Sequence, residues 1–299
     1  MNTGLIGLGK MGLNMVENLL DHRRKVAVFD LSPEAVAAAV EKGAVAAESP
    51  DTLAGMLQRP RIIWMMVPAG RPVDTVLELM IPRLEPGDVI IDGGNSRYTD
   101  SERRAKLLEQ QGIFFLDAGT SGGLDGARYG ACVMVGGAKE AYDLVEPLLR
   151  DMCVEKGYGY MGRSGSGHFV KMVHNGIEYG MMQAIGEGFD LLESSGYDLD
   201  PEVVAGVWAN GSVIRGWLME LAEQAFSKDR KLGYLKGEIA DSGEGRWTVE
   251  AALEQNVSIP VIAGALFRRY RSRSEENFSD KVVAALRHEF GGHGFKANQ

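Results

Sequence analysis

Residues 3–12 read TGLIGLGKMG. A short apolar run ends in Gly7, Gly9 and Gly12, and Met11, Met15, Leu19 and Leu20 follow at helical spacing. That pattern is a strand turning sharply into a helix. The glycines permit a tight turn, close approach of a ligand to the backbone, and close packing of helix on sheet. The unpaired N–H groups at the start of such a helix favour an anion. A second apolar run, 25–30, ends in Asp30, 23 residues after Gly7. A carboxylate at that place accepts from both hydroxyls of a ribose. Together these features predict a dinucleotide held by Gly7, Leu8, Gly9, Lys10, Met11, Gly12 and Asp30, with Val67 and Asn95 at later strand ends. Asp30 would repel a 2′-phosphate, and Leu31 and Ser32 put no cation beside it. Arg23 and Arg24 precede the strand, at its far end. NAD is therefore expected over NADP.

Outward from this unit, apolar runs alternate with helical patterns. Residues 3–7, 25–30, 61–67, 88–92 and 113–117 read as strands, with weaker signals at 132–135 and 152–160. Helices are expected at 11–22, at 33–42 with Ser32 as N-cap and Pro33 at N1, and at 101–111. Such alternation predicts a Rossmann-type α/β domain, a doubly wound and mostly parallel sheet with helices on both faces. From about residue 164 strand signals stop, and helical patterns run to about 290 with breaks at 196–201 and 241–245. The 299-residue chain is thus expected to divide into a sheet domain, 1–163, and an all-α domain, 164–299.

The composition, 45% hydrophobic and 24% charged, is that of a globular protein able to bury a sizeable core. A net charge of −9 argues against nucleic acid as the main partner. No apolar run approaches the roughly 20 residues of a membrane span, and a strand beginning near Met1 leaves no room for a signal peptide. Cys132 and Cys153 form no metal pattern and are expected to be buried, unreactive thiols in a reducing compartment. The cytoplasm is the expected location. No clustered aspartates suggest a metal site.

Residues 165–180 read GSGHFVKMVHNGIEYG. Lys171, His174, Asn175, Glu178, Tyr179 and Met182 fall on one face of a helix. Such a stripe is ordinarily a solvated surface. Here an imidazole, an amide and a phenol interleave with single charges, and Phe169, Val170, Met172, Val173, Ile177 and Met181 flank them, so the helix is expected to be buried on most sides. A polar face on a buried helix needs partners, and a lined cleft supplies them. Lys171 and Glu178 stand two turns apart, roughly 10.5 Å along the axis, room for a small polar substrate between a base and an acid. Two further glycine loops, Asp92-Gly93-Gly94-Asn95-Ser96 and Gly119-Thr120-Ser121-Gly122-Gly123, follow strand ends where α/β sheets bind ligands. Plain turn chemistry would explain either alone.

With these residues in view, the chain resembles the 6-phosphogluconate dehydrogenases of the β-hydroxyacid dehydrogenase superfamily. The resemblance rests on GLGKMG, IDGGNS at 91–96, SGGLDGARYG at 121–130, GHFVKMVHNGIEYG at 167–180, RWT at 246–248 and LRHEFGGHGF at 286–295. The chain looks like the short type, with one helical unit where long members have a tandem pair. The resemblance implies NAD-linked oxidative decarboxylation of 6-phosphogluconate to ribulose 5-phosphate and CO2, without a metal. It implies Lys171 as base and Glu178 as the acid that protonates C1. Asn95, Ser121, Gly122, Gly123, His174 and Asn175 match substrate-positioning residues, and Tyr179 and Arg269 match phosphate-binding ones. By itself Arg269, among Arg268, Arg271 and Arg273, reads as a solvated basic patch. Arg287 and His293 match a tail that reaches a neighbouring subunit's site, so a homodimer or homotetramer is implied. His293 alone reads as a loose terminal residue. Ser242 and Glu244 stand where long members carry a substrate-contacting lysine and threonine, with Arg246 nearby, and Leu124 replaces an acidic residue; those contacts are not carried over. Two rivals remain: a dehydrogenase of a small unphosphorylated acid such as 3-hydroxyisobutyrate, which needs neither Glu178–Tyr179 nor the arginines, and a catalytically silent NAD-binding regulator.

Overall fold

Eight strands form one sheet: β1 (Thr3–Ile6), β2 (Val26–Phe29), β3 (Val45–Ala46), β4 (Ile62–Met65), β5 (Val89–Asp92), β6 (Phe114–Ser121), β7 (Ala131–Gly136) and β8 (Cys153–Gly162). The computed structural model describes residues 3–274, 277–291 (290 and 291 as backbone only) and 294. The strand order is β3-β2-β1-β4-β5-β6-β7-β8. Neighbours from β3 to β6 are parallel, β7 runs antiparallel to β6, and β8 is parallel to β7. The order reverses at β1, the switch point where such sheets bind ligands.

Strands β1, β2, β4, β5, β6 and β7 are almost wholly buried, and their side chains divide between two cores. Leu5, Val26, Val28, Trp64, Ile91 and Leu116 pack with α1 (Lys10–Asp21) and α7 (Lys139–Met152) through Met15, Leu19, Val145 and Leu149. The alternate residues Ile6, Ala27, Ile63, Met65, Ile90 and Phe115 pack with α3 (Pro50–Met56), α4 (Arg71–Met80) and α5 (Tyr98–Glu109) through Leu53, Leu77, Met80 and Leu108. Period-two alternation with both faces covered makes the sheet doubly wound. In α2 (Pro33–Glu41) the Ser32 hydroxyl accepts from Ala35 N at 3.2 Å, the expected cap.

The elements beyond the sequence reading are α4, ten residues long, and the short or interrupted ones. Strand β3 has two exposed residues, α3 and α6 (Gly123–Tyr129) have seven each, and α7 contains Pro147. Strand β6 continues past the expected end at 117 to Ser121, because its second half pairs with β7 from Asp117↔Gly136 to Ser121↔Cys132. Gly119–Ser121 is therefore strand, and only Gly122 and Gly123 turn into α6. Cys132 is exposed, against expectation, because it stands opposite Ser121 at the open end of this pair; Cys153 is half-buried.

The chain separates into two compact units, Met1–Asn175 and Gly176–Gln299. The division falls inside α8 (Ser166–Glu193), later than residue 163, since the first turns of α8 lie against β6 and β7: a Cβ on Gly167 would come within 2.3 Å of Asp117 O. The second unit is helical, with α9 (Pro201–Ala209), α10 (Trp217–Lys228), α11 (Glu244–Glu254), α12 (Pro260–Ser272) and α13 (Phe278–Gly291). Its small core joins Tyr179, Ala265 and Leu266. The expected break at 241–245 is longer and earlier, spanning 229–243, and Glu244 opens α11.

Candidate active site

The turn after β1 is built as the sequence suggests. Gly7 has φ +96°, and a Cβ there would stand 2.4 Å from Met66 O. A Cβ on Gly12 would stand 1.9 Å from Gly7 O, so α1 rests directly on the turn. Gly9 is exposed, caps α1 without a side-chain bond, and has open space where its Cβ would be. Protein packing demands glycine at 7 and 12 but not at 9; a ligand lying against the backbone supplies a reason there. Leu8 is buried, so it offers the loop only its backbone, while Lys10 is exposed and Met11 half-buried.

Asp30 just beyond β2 accepts from Leu8 N at 2.5 Å and Ser32 N at 2.8 Å. Its carboxylate thus braces the glycine turn, yet each oxygen keeps a further lone pair for a ribose hydroxyl. Leu31 beside it is 91% exposed. Arg24 is tied to Asp151 at 2.6 Å and to Pro147 O at 2.7 Å, away from this strand end. Val67 lies next to the turn, its Cγ1 3.2 Å from where a Gly7 Cβ would be.

At the end of β5, Asp92 accepts from Gly94 N at 3.3 Å and Ser96 Oγ at 2.7 Å and meets Arg104 Nη1 at 3.3 Å. Asn95 is exposed between buried Gly94 and Ser96. The loop is pinned from below and presents its amide outward. Strands β1, β5 and β6 are parallel, so this loop, the glycine turn and Ser121 all stand at carboxyl ends of the sheet.

Helix α8 adds the titratable groups. Lys171 is only 6% exposed, and its Cβ would touch any side chain at Gly119. Its Nζ stands 3.5 Å from His174 Nδ1; that ring nitrogen is 3.0 Å from Asn175 Oδ1, and Nε2 is 3.4 Å from Ser121 Oγ. An amine, an imidazole and a hydroxyl thus form a line across α8 and β6, with Gly122 and Gly123 at its end. The flanks behave only in part as expected. Lys171, Asn175 and Tyr179 are buried, whereas Val170, Ile177 and Met181 are exposed. Of the other flanking residues Met172 is buried and Phe169 and Val173 are half-buried, as are His174 and Glu178 of the polar stripe.

In the helical unit, Glu178 is half-buried and Tyr179 is 6% exposed. The Arg269 guanidinium lies 3.4 Å from the centre of the Tyr179 ring and donates to Ala240 O at 2.7 Å. The stack and the backbone bond fix the fork of a group suited to a phosphate dianion. The Tyr179 hydroxyl donates to Asp241 Oδ1 at 3.2 Å, and burial pushes its phenol up despite the nearby Ser242 and Arg269. Ser242 Oγ donates to buried Glu244 at 2.5 Å, and exposed Arg246 pairs with Glu250 at 3.3 Å. Arg287 stands exposed on α13, and His293 lies outside the described residues.

Two family models divide the chain between them. Residues 2–169 match the NAD binding domain of 6-phosphogluconate dehydrogenase, and residues 167–288 match the 6-phosphogluconate dehydrogenase C-terminal domain. The chain belongs to the 6-phosphogluconate dehydrogenase family. It is 55% identical over 98% of both chains to YqeC of Bacillus subtilis, whose name assigns it provisionally to 6-phosphogluconate dehydrogenase. It is 48% identical, again over 98% of both chains, to a protein of Haloferax volcanii named as the NAD(+)-dependent, decarboxylating 6-phosphogluconate dehydrogenase. The 6-phosphogluconate dehydrogenase of Plasmodium falciparum superposes with a TM-score of 0.84 at 30% identity, covering all of this chain and 66% of that one. For a member of this family, the sequence reading misses the groups that support the site: Arg104 under the Asn95 loop, Asp117 under α8, His168 in the first turn of α8, and Asp241 at Tyr179. Only Asp92, at a strand end beside paired glycines, carried a local signal.

Proposed function

We propose that this chain oxidises 6-phosphogluconate at C3 with NAD and decarboxylates the product to ribulose 5-phosphate and CO2, the oxidative step of the pentose phosphate pathway and of gluconate utilization. The observation that carries the reading is the buried Lys171 amine in line with His174 and Ser121, at the strand ends that also carry the glycine turn. NAD held by Gly7–Gly12 and Asp30 supplies the hydride acceptor. Lys171, neutral as it acts, takes the 3-hydroxyl proton. Its ammonium form then polarises the new C3 ketone as the C1 carboxylate leaves as CO2, a role that needs no metal. Glu178 delivers a proton to the carbon that lost CO2, which is C1 of the five-carbon enediol. Asn95, Ser121, Gly122, Gly123, His174 and Asn175 position the sugar acid, and Arg269 over Tyr179 anchors the phosphate.

The Asp30 charge and the lack of a cation at residues 31 and 32 support NAD over NADP. A homo-oligomer is supported by the apolar side chains left uncovered: Val170, Ile177 and Met181 on α8, and Val203, Val207 and Trp217 on α9 and α10. In such an assembly Arg287 and His293 would complete a neighbour's site. No helix among the described residues is long and apolar enough to cross a membrane, and we place the enzyme in the cytoplasm. The test is to supply 6-phosphogluconate and NAD while following NADH formation and trapping CO2. Equal yields of both are expected; NADH without CO2 would overturn the reading in favour of a plain hydroxyacid dehydrogenase.

A further inference from the structure

Asp117 lies in the middle of β6 with no solvent exposure, and nothing in the proposed reaction uses it. Its two carboxylate oxygens accept from Gly165 N at 2.7 Å and His168 N at 2.9 Å. Those are two of the N–H groups that the start of a helix leaves without an intrahelical partner. Burial pushes this carboxyl up, while His168 and the backbone donors act in the opposite sense. The side chain therefore clamps the first turn of α8 to the sheet. The seat is close: a Cβ on Gly136 would lie 2.8 Å from either Asp117 oxygen and 2.6 Å from Gly167 N. One turn further on, a Cβ on Gly119 would stand 2.2 Å from Lys171 Cβ. The same turn is held sideways, since the His168 ring, itself buried, meets Ser101 Oγ of α5 at 2.7 Å through Nδ1.

Lys171 follows His168 by three residues, so the stem of its long side chain leaves from the clamped turn. We infer that Asp117 is a positioning residue, which sets the depth and direction of the Lys171 amine by holding Gly165 and His168 against the sheet. The inference rests on Lys171 being the base. A reacting group displaced by on the order of 1 Å loses about 10²-fold in rate, with little change in ground-state binding.

The experiment is steady-state kinetics on the full-length enzyme with Asp117→Ala, Asp117→Asn, Gly119→Ala and Lys171→Ala, each alongside its thermal unfolding. Asp117→Ala is expected to lower kcat by about 100-fold and leave KM for 6-phosphogluconate and for NAD within about threefold. Asparagine has the same shape but keeps one acceptor and sets its amide against the other N–H. Asp117→Asn should therefore restore part of the loss, to roughly tenfold below wild type, and it carries the test if the alanine variant does not fold. Gly119→Ala, which lifts the lysine stem with the clamp intact, should show the same fall in kcat. A purely structural anchor would lower the unfolding temperature while each folded molecule kept wild-type kcat, and that result overturns the inference. So does a fully active Gly119→Ala. An inactive Lys171→Ala beside fully active Asp117 variants overturns this inference alone, whereas an active Lys171→Ala overturns the function proposed above.

Discussion

Arg104 Nη1 meets Asp92 Oδ2 at 3.3 Å, and neither side chain has any exposure to solvent. The same guanidinium bridges Asp74 at 2.9 Å and Gly70 O at 3.0 Å, so it joins the Asn95 loop to the start of α4. Burial raises the Asp74 carboxyl, but the Arg104 and Arg103 guanidiniums outweigh it and hold it below the ordinary range. A depressed carboxyl contributes stability above about pH 4, its unfolded value, and that stability is lost as pH falls through the folded value. Arg104→Met leaves the buried Asp92 charge uncompensated and should cost about 3–5 kcal/mol. The acid-side dependence due to Asp74 should also flatten. Urea unfolding at pH 7 and at a series of pH values below about 4 measures both; a loss below about 1 kcal/mol at pH 7 would mean that Asp92 needs no cation.

Gly12 and Gly9 separate packing from ligand binding within one motif. A methyl group on Gly12 meets Gly7 O at 1.9 Å, so Gly12→Ala must shift α1 from the turn and should lose about 1–3 kcal/mol of stability. A methyl group on Gly9 meets nothing, so Gly9→Ala should unfold at the wild-type temperature and raise KM for NAD by about tenfold. An unchanged KM in Gly9→Ala would remove the dinucleotide from that loop.

What was legible in the sequence was local. The glycine turn, Asp30 and the stripe from Lys171 to Tyr179 each lie within a few turns of chain, where a period of two or 3.6 exposes them. Arg104 was not legible, because among Arg103 and Lys106 a buried arginine looks like a solvated one until Asp92, 12 residues away, is brought against it. Asp117 meets its donors across 48 and 51 residues. Hydrophobicity was a partial guide to α8. Of the six apolar residues flanking the stripe Met172 is buried and Phe169 and Val173 are half-buried, but Val170, Ile177 and Met181 are exposed, since a single chain leaves those three uncovered.

Asp30 should decide between the two nicotinamide dinucleotides. Asp30→Asn keeps an acceptor for Leu8 N or Ser32 N and removes the charge that opposes a 2′-phosphate. The ratio of kcat/KM for NAD over NADP should fall roughly tenfold, about 1.4 kcal/mol of repulsion relieved. An unchanged ratio would assign cofactor choice to other residues.

The two thiols should react very differently. Burial pushes the Cys153 thiol up to about 12, whereas Cys132 is exposed. At pH 8 only about one Cys153 in ten thousand is then thiolate, the form that reacts. Iodoacetamide should label Cys132 within minutes and Cys153 only after unfolding, which peptide mass spectrometry resolves. Equal labelling of both in the folded protein would contradict the burial of Cys153.

Arg269 should govern recognition of the phosphate and little else. Its planar group lies on the Tyr179 ring and is held by Ala240 O. Lysine keeps the charge but loses the stack, the backbone bond and the two-pronged contact to phosphate oxygens. Arg269→Lys should raise KM for 6-phosphogluconate by roughly 10–100-fold and change kcat by less than about threefold, the pattern of lost uniform binding. Gluconate, with no phosphate to hold, is the control: its turnover, however slow, should not change. Equal losses on both substrates would show that Arg269 supports the fold around Tyr179 and does not read the phosphate.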